Sequence, residues 1–189
     1  MNRRIAAAAA LAGAALALIQ PLRLGGEGAS ARPIRHPPVR FSHMKSFEAF
    51  GYYLPRGGAR VGRWRLDDVA IGQPGDFAAW ERGRRSLNYA PVMLEFSDMT
   101  SPTFTNELGQ EVRRVTVPVL PDSYRVRPGE ISFSGHDRRL GVVILSGYLD
   151  GAALARARSG GSEERVIRGG LQFAGERIRN IAFTWFGGD

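Results

Sequence analysis

His136 stands in the run Ser134-Gly135-His136-Asp137, where a hydroxyl, an imidazole and a carboxylate follow one another closely. Those are the groups of a hydrolytic triad, which must converge in space beside an oxyanion site. Neighbours along one hairpin seldom converge. Gly, His and Asp also tolerate left-handed backbone, so the same residues predict a turn. The chain has no G-x-S-x-G elbow to support a serine nucleophile. A small hydrolase with its site near His136 is therefore the alternative reading, to be judged by whether that ring lies in a cleft or at an exposed hairpin tip.

Glu95 and Asp98 close one apolar stretch, a place where the carboxylate pair of a glycosidase can sit. Their odd separation puts them on opposite faces of a continuous strand. Asp67, Asp68, Asp98, Asp122, Asp137 and Asp150 all fall at expected strand ends. Without a D-x-D-x-D-G loop they read as turn formers and helix caps rather than calcium ligands. Cysteine is absent and His36 and His43 precede the expected domain, so zinc would lack a ligand set. No catalytic residue, metal site or cofactor is assigned.

Arginine is the chemistry the chain has in quantity. It carries 26 Lys plus Arg against 18 Asp plus Glu, a net charge of +8. Beyond the leader the excess lies in residues 32–86, whereas residues 87–189 are balanced. The basic part is interleaved with Phe41, Phe47, Phe50, Tyr52, Tyr53, Trp64, Phe77 and Trp80. Guanidinium forks beside aromatic rings suit phosphate, sulfate or sugar. Arg63, Arg65, Arg82, Arg84 and Arg85 are the candidate ligand-binding residues. Arg63 and Arg65 share one strand parity opposite Trp64 and Leu66. Arg82, Arg84 and Arg85 follow a short helix, whose dipole favours cations without any ligand.

The elements that must hold these groups are strands. Phe47–Leu54 reads as a weak strand, and residues 60–71 alternate with a parity slip at Asp67-Asp68 that predicts a bulge or turn. Asp76 is the expected N-cap of a helix over 77–82, ended by Gly83. Residues 91–97, 110–120 and 129–134 alternate, and Pro118 marks an edge strand. Residues 140–149 are apolar on both parities, as in a central strand covered on both faces. Asp150 caps a second short helix over 152–158, and residues 165–173 and 177–186 form a hairpin around Ala174-Gly175-Glu176. The pattern is mainly β: an antiparallel sandwich or barrel of about eight strands with one or two short helices. Val92, Leu94, Phe96, Val115, Val117, Ile131, Phe133, Val142, Ile144, Leu171, Phe173, Phe183 and Trp185 are the expected core, with Val143 and Leu145 on the other face.

The N-terminus has the form of a secretory signal. Arg3 and Arg4 precede an uncharged run, Ile5–Ile19, and Ala29-Ser30-Ala31 offers a small-x-small cleavage site. As a helix that run spans about 22 Å, short of the ~30 Å hydrocarbon core. Residues 1–31 are the expected signal peptide, 32–46 a Pro-rich extended arm, and 47–189 a single β-rich domain. The location implied is the periplasm or the exterior. The function implied is a non-enzymatic binding or structural module for an anionic envelope polymer, a lipid or a protein. Nucleic acid is a poor fit for an exported chain without a reading motif.

Overall fold

A computed structural model describes residues 40–161 and 163–188. The leader, its cleavage site and residues 32–39 lie outside the described residues. Among the described residues no helix is long and apolar enough to cross a membrane.

The fold is mainly β with two short helices. In chain order the elements are β1 (Phe41–His43), β2 (Gly51–Pro55), β3 (Arg60–Val61), β4 (Trp64–Ile71), α1 (Pro74–Glu81), β5 (Val92–Asp98), β6 (Thr103–Thr105), β7 (Glu111–Arg113), β8 (Thr116–Val119), β9 (Pro121–Arg127), β10 (Glu130–Asp137), β11 (Gly141–Leu149), α2 (Gly151–Arg158), β12 (Ile167–Phe173) and β13 (Glu176–Phe186). The extra strands beyond the expected eight are mostly two or three residues long, too short for alternation to reveal. Phe41–His43, read from sequence as part of the arm, pairs with β9 and belongs to the domain.

One sheet carries the path β1-β9-β10-β11-β12-β13-β2-β4-β5-β8, with β3 beside β4, and β6 and β7 pair only with each other. The β1–β9 pair is parallel and the rest are antiparallel, so the sheet is mixed. β8 ends the path and β9 lies almost at its other end, yet only Leu120 separates them in sequence. The sheet must therefore curl until its two ends meet, and it forms a half-barrel. Gly135 of β10 sits at that seam: a Cβ there would lie 2.5 Å from the Leu120 carbonyl oxygen and 2.9 Å from Val119 Cγ1.

The concave face is the core. Leu66, Val69 and Ile71 of β4, Val92, Leu94 and Phe96 of β5, and Phe173 and Phe183 of the last hairpin are all buried. Phe96 and Phe173 meet with ring centroids 4.9 Å apart. On β11 the buried residues are Val143, Leu145 and Leu149, while Val142 is 49% exposed and Ile144 half-buried. This reverses the expected facing of Val142 and Ile144. A strand apolar on both parities cannot choose its face by alternation. Register chooses it, since Leu145 lies opposite the buried Phe133 and Leu171. Nor is the strand covered on both sides, because Ser146 and Tyr148 are exposed on its outer face.

The helices sit on the sheet. Pro74 opens α1, so its N-cap is Gln73 and not Asp76. Asp76 instead reaches back from the first turn to accept from the Gln73 amide at 2.7 Å. Phe77 and Trp80 carry the helix onto Phe41 and Tyr124 through edge-on ring contacts. Asp150 caps α2 as expected, accepting from Ala153 N at 2.9 Å.

Candidate functional site

His136 lies in β10 opposite Val142 and is exposed. The turn begins after Asp137, at Arg138–Leu140, and not at Gly135–Asp137 as expected. The Asp137 carboxylate accepts the amides of Arg139 and Leu140 at 2.7 and 3.3 Å, which ties it to that turn. The residues of the hydrolase alternative thus converge on nothing. Ser42 and Lys45 also have the S-x-x-K spacing of some nucleophilic serines, but they fall on β1 and the turn after it. The helical turn that would bring amine to hydroxyl is missing there.

His43, counted from sequence as outside the domain, is nearly buried in β1. Its Nδ1 lies 2.8 Å from Glu81 Oε1 and its ring stacks on Phe77 at 4.3 Å. The Tyr124 hydroxyl donates to the same Glu81 oxygen at 3.2 Å. Burial and the Glu81 charge raise the Tyr124 pKa, so the phenol stays protonated and remains a donor. This cluster ties β1, β9 and α1 together.

The five candidate arginines separate into two groups. Arg63 pairs with Asp98, whose carboxylate is buried and also accepts from Thr100 N and Oγ1 at 2.9 and 2.7 Å. Arg65 makes two bonds to Asp67 Oδ1, at 2.9 and 2.7 Å. Both guanidinium groups are thus neutralised within the domain. Arg82 and Arg84 are exposed and make no ion pair among the described residues. Arg85 lies over the rings of Phe41 and Trp80, at 4.6 and 5.5 Å. Arg40 lies 5.8 Å from the same Phe41 ring. Arg65 and the end of β4 at Ile71 are six residues apart, about 20 Å of strand, and α1 with Arg82–Arg85 follows that far end.

Sequence reasoning missed the cleft at the Arg65 end. The parity slip at Asp67-Asp68 is a β-bulge: Leu66 pairs with Phe96 and Asp68 with Glu95, leaving Asp67 unpaired. The bulge turns both aspartates into a cleft of about 960 Å³ on the outer face of the sheet. Glu95 and Ser97 of β5 share its floor, and the β6–β7 hairpin walls it with Phe104, Glu111 and Arg113. Asn106 shapes the hairpin turn, its Oδ1 accepting from Leu108 N at 3.1 Å and Gln110 N at 2.9 Å.

Asp67 is satisfied, by Arg65 on one oxygen and by the Ser97 hydroxyl on the other. Asp68 and Glu95 receive no hydrogen bond from a described side chain or amide. Partial burial and the neighbouring Glu95 and Asp67 charges push the Asp68 carboxyl up to about 7. A carboxyl raised that far can carry a proton near neutrality, and in that form it donates beside several acceptors. Asp98, paired with Glu95 in the sequence reading, belongs to the buried Arg63 contact instead. The signal for the true pair was the slip itself, but the partner of Asp68 depends on cross-strand register. Among the described residues no group of three or more His, Asp or Glu side chains is arranged to hold a metal ion.

Comparison with known family models, characterised proteins and solved structures returns no match.

Proposed function

We propose that the chain is an exported binding module that docks on an anionic envelope component through the arginine cluster beyond α1. The observation that carries this reading is the contrast between the two arginine groups. Arg63 and Arg65 are matched by Asp98 and Asp67, whereas Arg82 and Arg84 face solvent unmatched and Arg40 and Arg85 flank the Phe41 ring. The ring contacts organise two guanidinium groups beside two free ones, an arrangement suited to phosphate or sulfate groups spaced along a surface. The secretory form of residues 1–31 supports export and the meeting with such a surface.

Retention of the mature domain on phosphatidylglycerol vesicles tests the reading. Retention should fall with added salt, since exposed charge is screened within about 10 Å at 0.1 M. The double variant Arg82→Gln, Arg84→Gln should weaken it severalfold with an unchanged melting temperature. Retention indifferent to salt and to that variant overturns the proposal.

A further inference from the structure

The cleft over the β4 bulge is separate from the arginine cluster and has a different chemistry. Its charges nearly cancel. Arg65 is matched by Asp67, and the remaining Arg113 and Arg114 stand against Glu95, Glu111 and the partly protonated Asp68. An anion would meet the carboxyl floor, and a cation would meet the arginine wall. A neutral ligand with paired donors and acceptors is the class that suits both.

We infer that this cleft binds a neutral oligosaccharide, with the Asp68–Glu95 pair on its hydroxyls and Phe104 against a sugar face. The cross-strand pairing of Asp68 with Glu95 sets their Cβ atoms about 5 Å apart, a span that can bracket vicinal hydroxyls. Each sugar hydroxyl both donates and accepts. The floor does the same, because a protonated Asp68 donates while Glu95 accepts. Phe104 is 44% exposed in the cleft wall, and Arg114 lies 5.9 Å from its ring centroid. An apolar ring held at a polar cleft is the complement of the C–H face of a pyranose. The volume, about 960 Å³, is at the upper end of the ~300–1,000 Å³ of small-ligand sites and fits an elongated chain of rings.

The test is titration of the mature domain with cellotetraose and chitotetraose, followed by calorimetry and by amide chemical shifts. Saturable binding of either sugar should move the amides of Asp68, Glu95 and Phe104. Phe104→Ala and Glu95→Ala should each weaken it about tenfold or more. Phe104 is on the exposed hairpin, so that variant keeps the fold, and an unchanged melting curve checks this. Raising the pH from 6 to 9 should weaken binding as Asp68 loses its proton. Asp68→Asn should bind equally at both pH values. The charged groups around Asp68 are Arg65 and Asp67 from β4, Glu95 from β5, Glu111 and Arg113 from β7, and Arg114. No saturable binding at millimolar sugar, or binding untouched by both alanine variants, overturns the inference. So does tighter binding of a heparin tetrasaccharide that depends on Arg113 and Arg114. Loss of vesicle retention in the Arg82, Arg84 variant leaves this result unaffected.

Discussion

Asp68 lies directly opposite Glu95 across β4 and β5, with both carboxyls turned into the same cleft. Desolvation first, then the charges of Glu95 and Asp67, raises the Asp68 pKa from 3.8 to about 7. A carboxyl whose pKa is higher in the folded chain holds a proton that the unfolded chain has released. Its contribution is therefore fullest at low pH and is lost as pH rises from about 4 through about 7. Full linkage over that interval is on the order of 4 kcal/mol, which solvent in the open cleft reduces to about 1–2 kcal/mol. Denaturant titrations of Asp68→Asn should show the variant more stable than the parent at pH 8 and level with it near pH 4. Parallel pH profiles for the two proteins would remove Asp68 from this role.

Leu145 and Ile144 are neighbours with different surroundings, the first wholly buried and the second half-buried on the outer face. Leu145→Ala should cost about 2–5 kcal/mol by chemical denaturation. Val142→Ala, at a 49% exposed position, should fall within about 0.5 kcal/mol of the parent. Equal losses at the two sites would mean that β11 is covered on both faces after all.

Local patterns carried the fold class because strands with one buried face must alternate, as β4, β5 and β10 do. They carried the slip at Asp67-Asp68, the Asp150 cap and the hairpin at Ala174-Gly175 for the same reason: each is decided within a few residues. The facing of β11 was illegible since Val142, Val143, Ile144 and Leu145 are all apolar, and only pairing with Phe133 and Leu171 decides among them. The cleft was illegible on similar grounds. It needs Asp68 set beside Glu95 by register and a roof from β6 and β7, strands too short to announce themselves. The arginines were visible as residues, but which of them are matched by Asp67 and Asp98 is a tertiary fact.

Gly135 closes the curled sheet at Leu120, and its missing side chain permits the approach. Its φ is not positive, so the demand is purely one of space. A Cβ 2.5 Å from the Leu120 carbonyl oxygen and 2.9 Å from the Phe133 ring must push the β8–β9 corner away from β10. Gly135→Ala should lose about 1–3 kcal/mol as overpacking. Gly170→Ala is the matched control: its Cβ would meet only the Ile178 carbonyl oxygen, at an ordinary 3.6 Å. If both alanines are equally mild, the seam is loose enough to yield.

Arg63 covers a buried charge, and that separates it from the arginines beyond α1. Asp98 is 1% exposed and anchors the turn to Ser101, whose hydroxyl donates to the Asp98 carbonyl at 2.8 Å. Removing the guanidinium leaves the carboxylate with the Thr100 bonds alone in a place where water cannot compensate. Arg63 is itself 56% exposed, so the pair is partly screened and the loss is smaller than for a fully buried one. Arg63→Gln should therefore cost about 1–2 kcal/mol. Arg84→Gln should leave the melting temperature unchanged while reducing vesicle retention, and Arg63→Gln should do the reverse. The Arg63 loss should persist in 0.5 M salt, because a buried partner is screened far less than a surface one. A melting temperature unmoved by Arg63→Gln would show that Thr100 satisfies Asp98 alone.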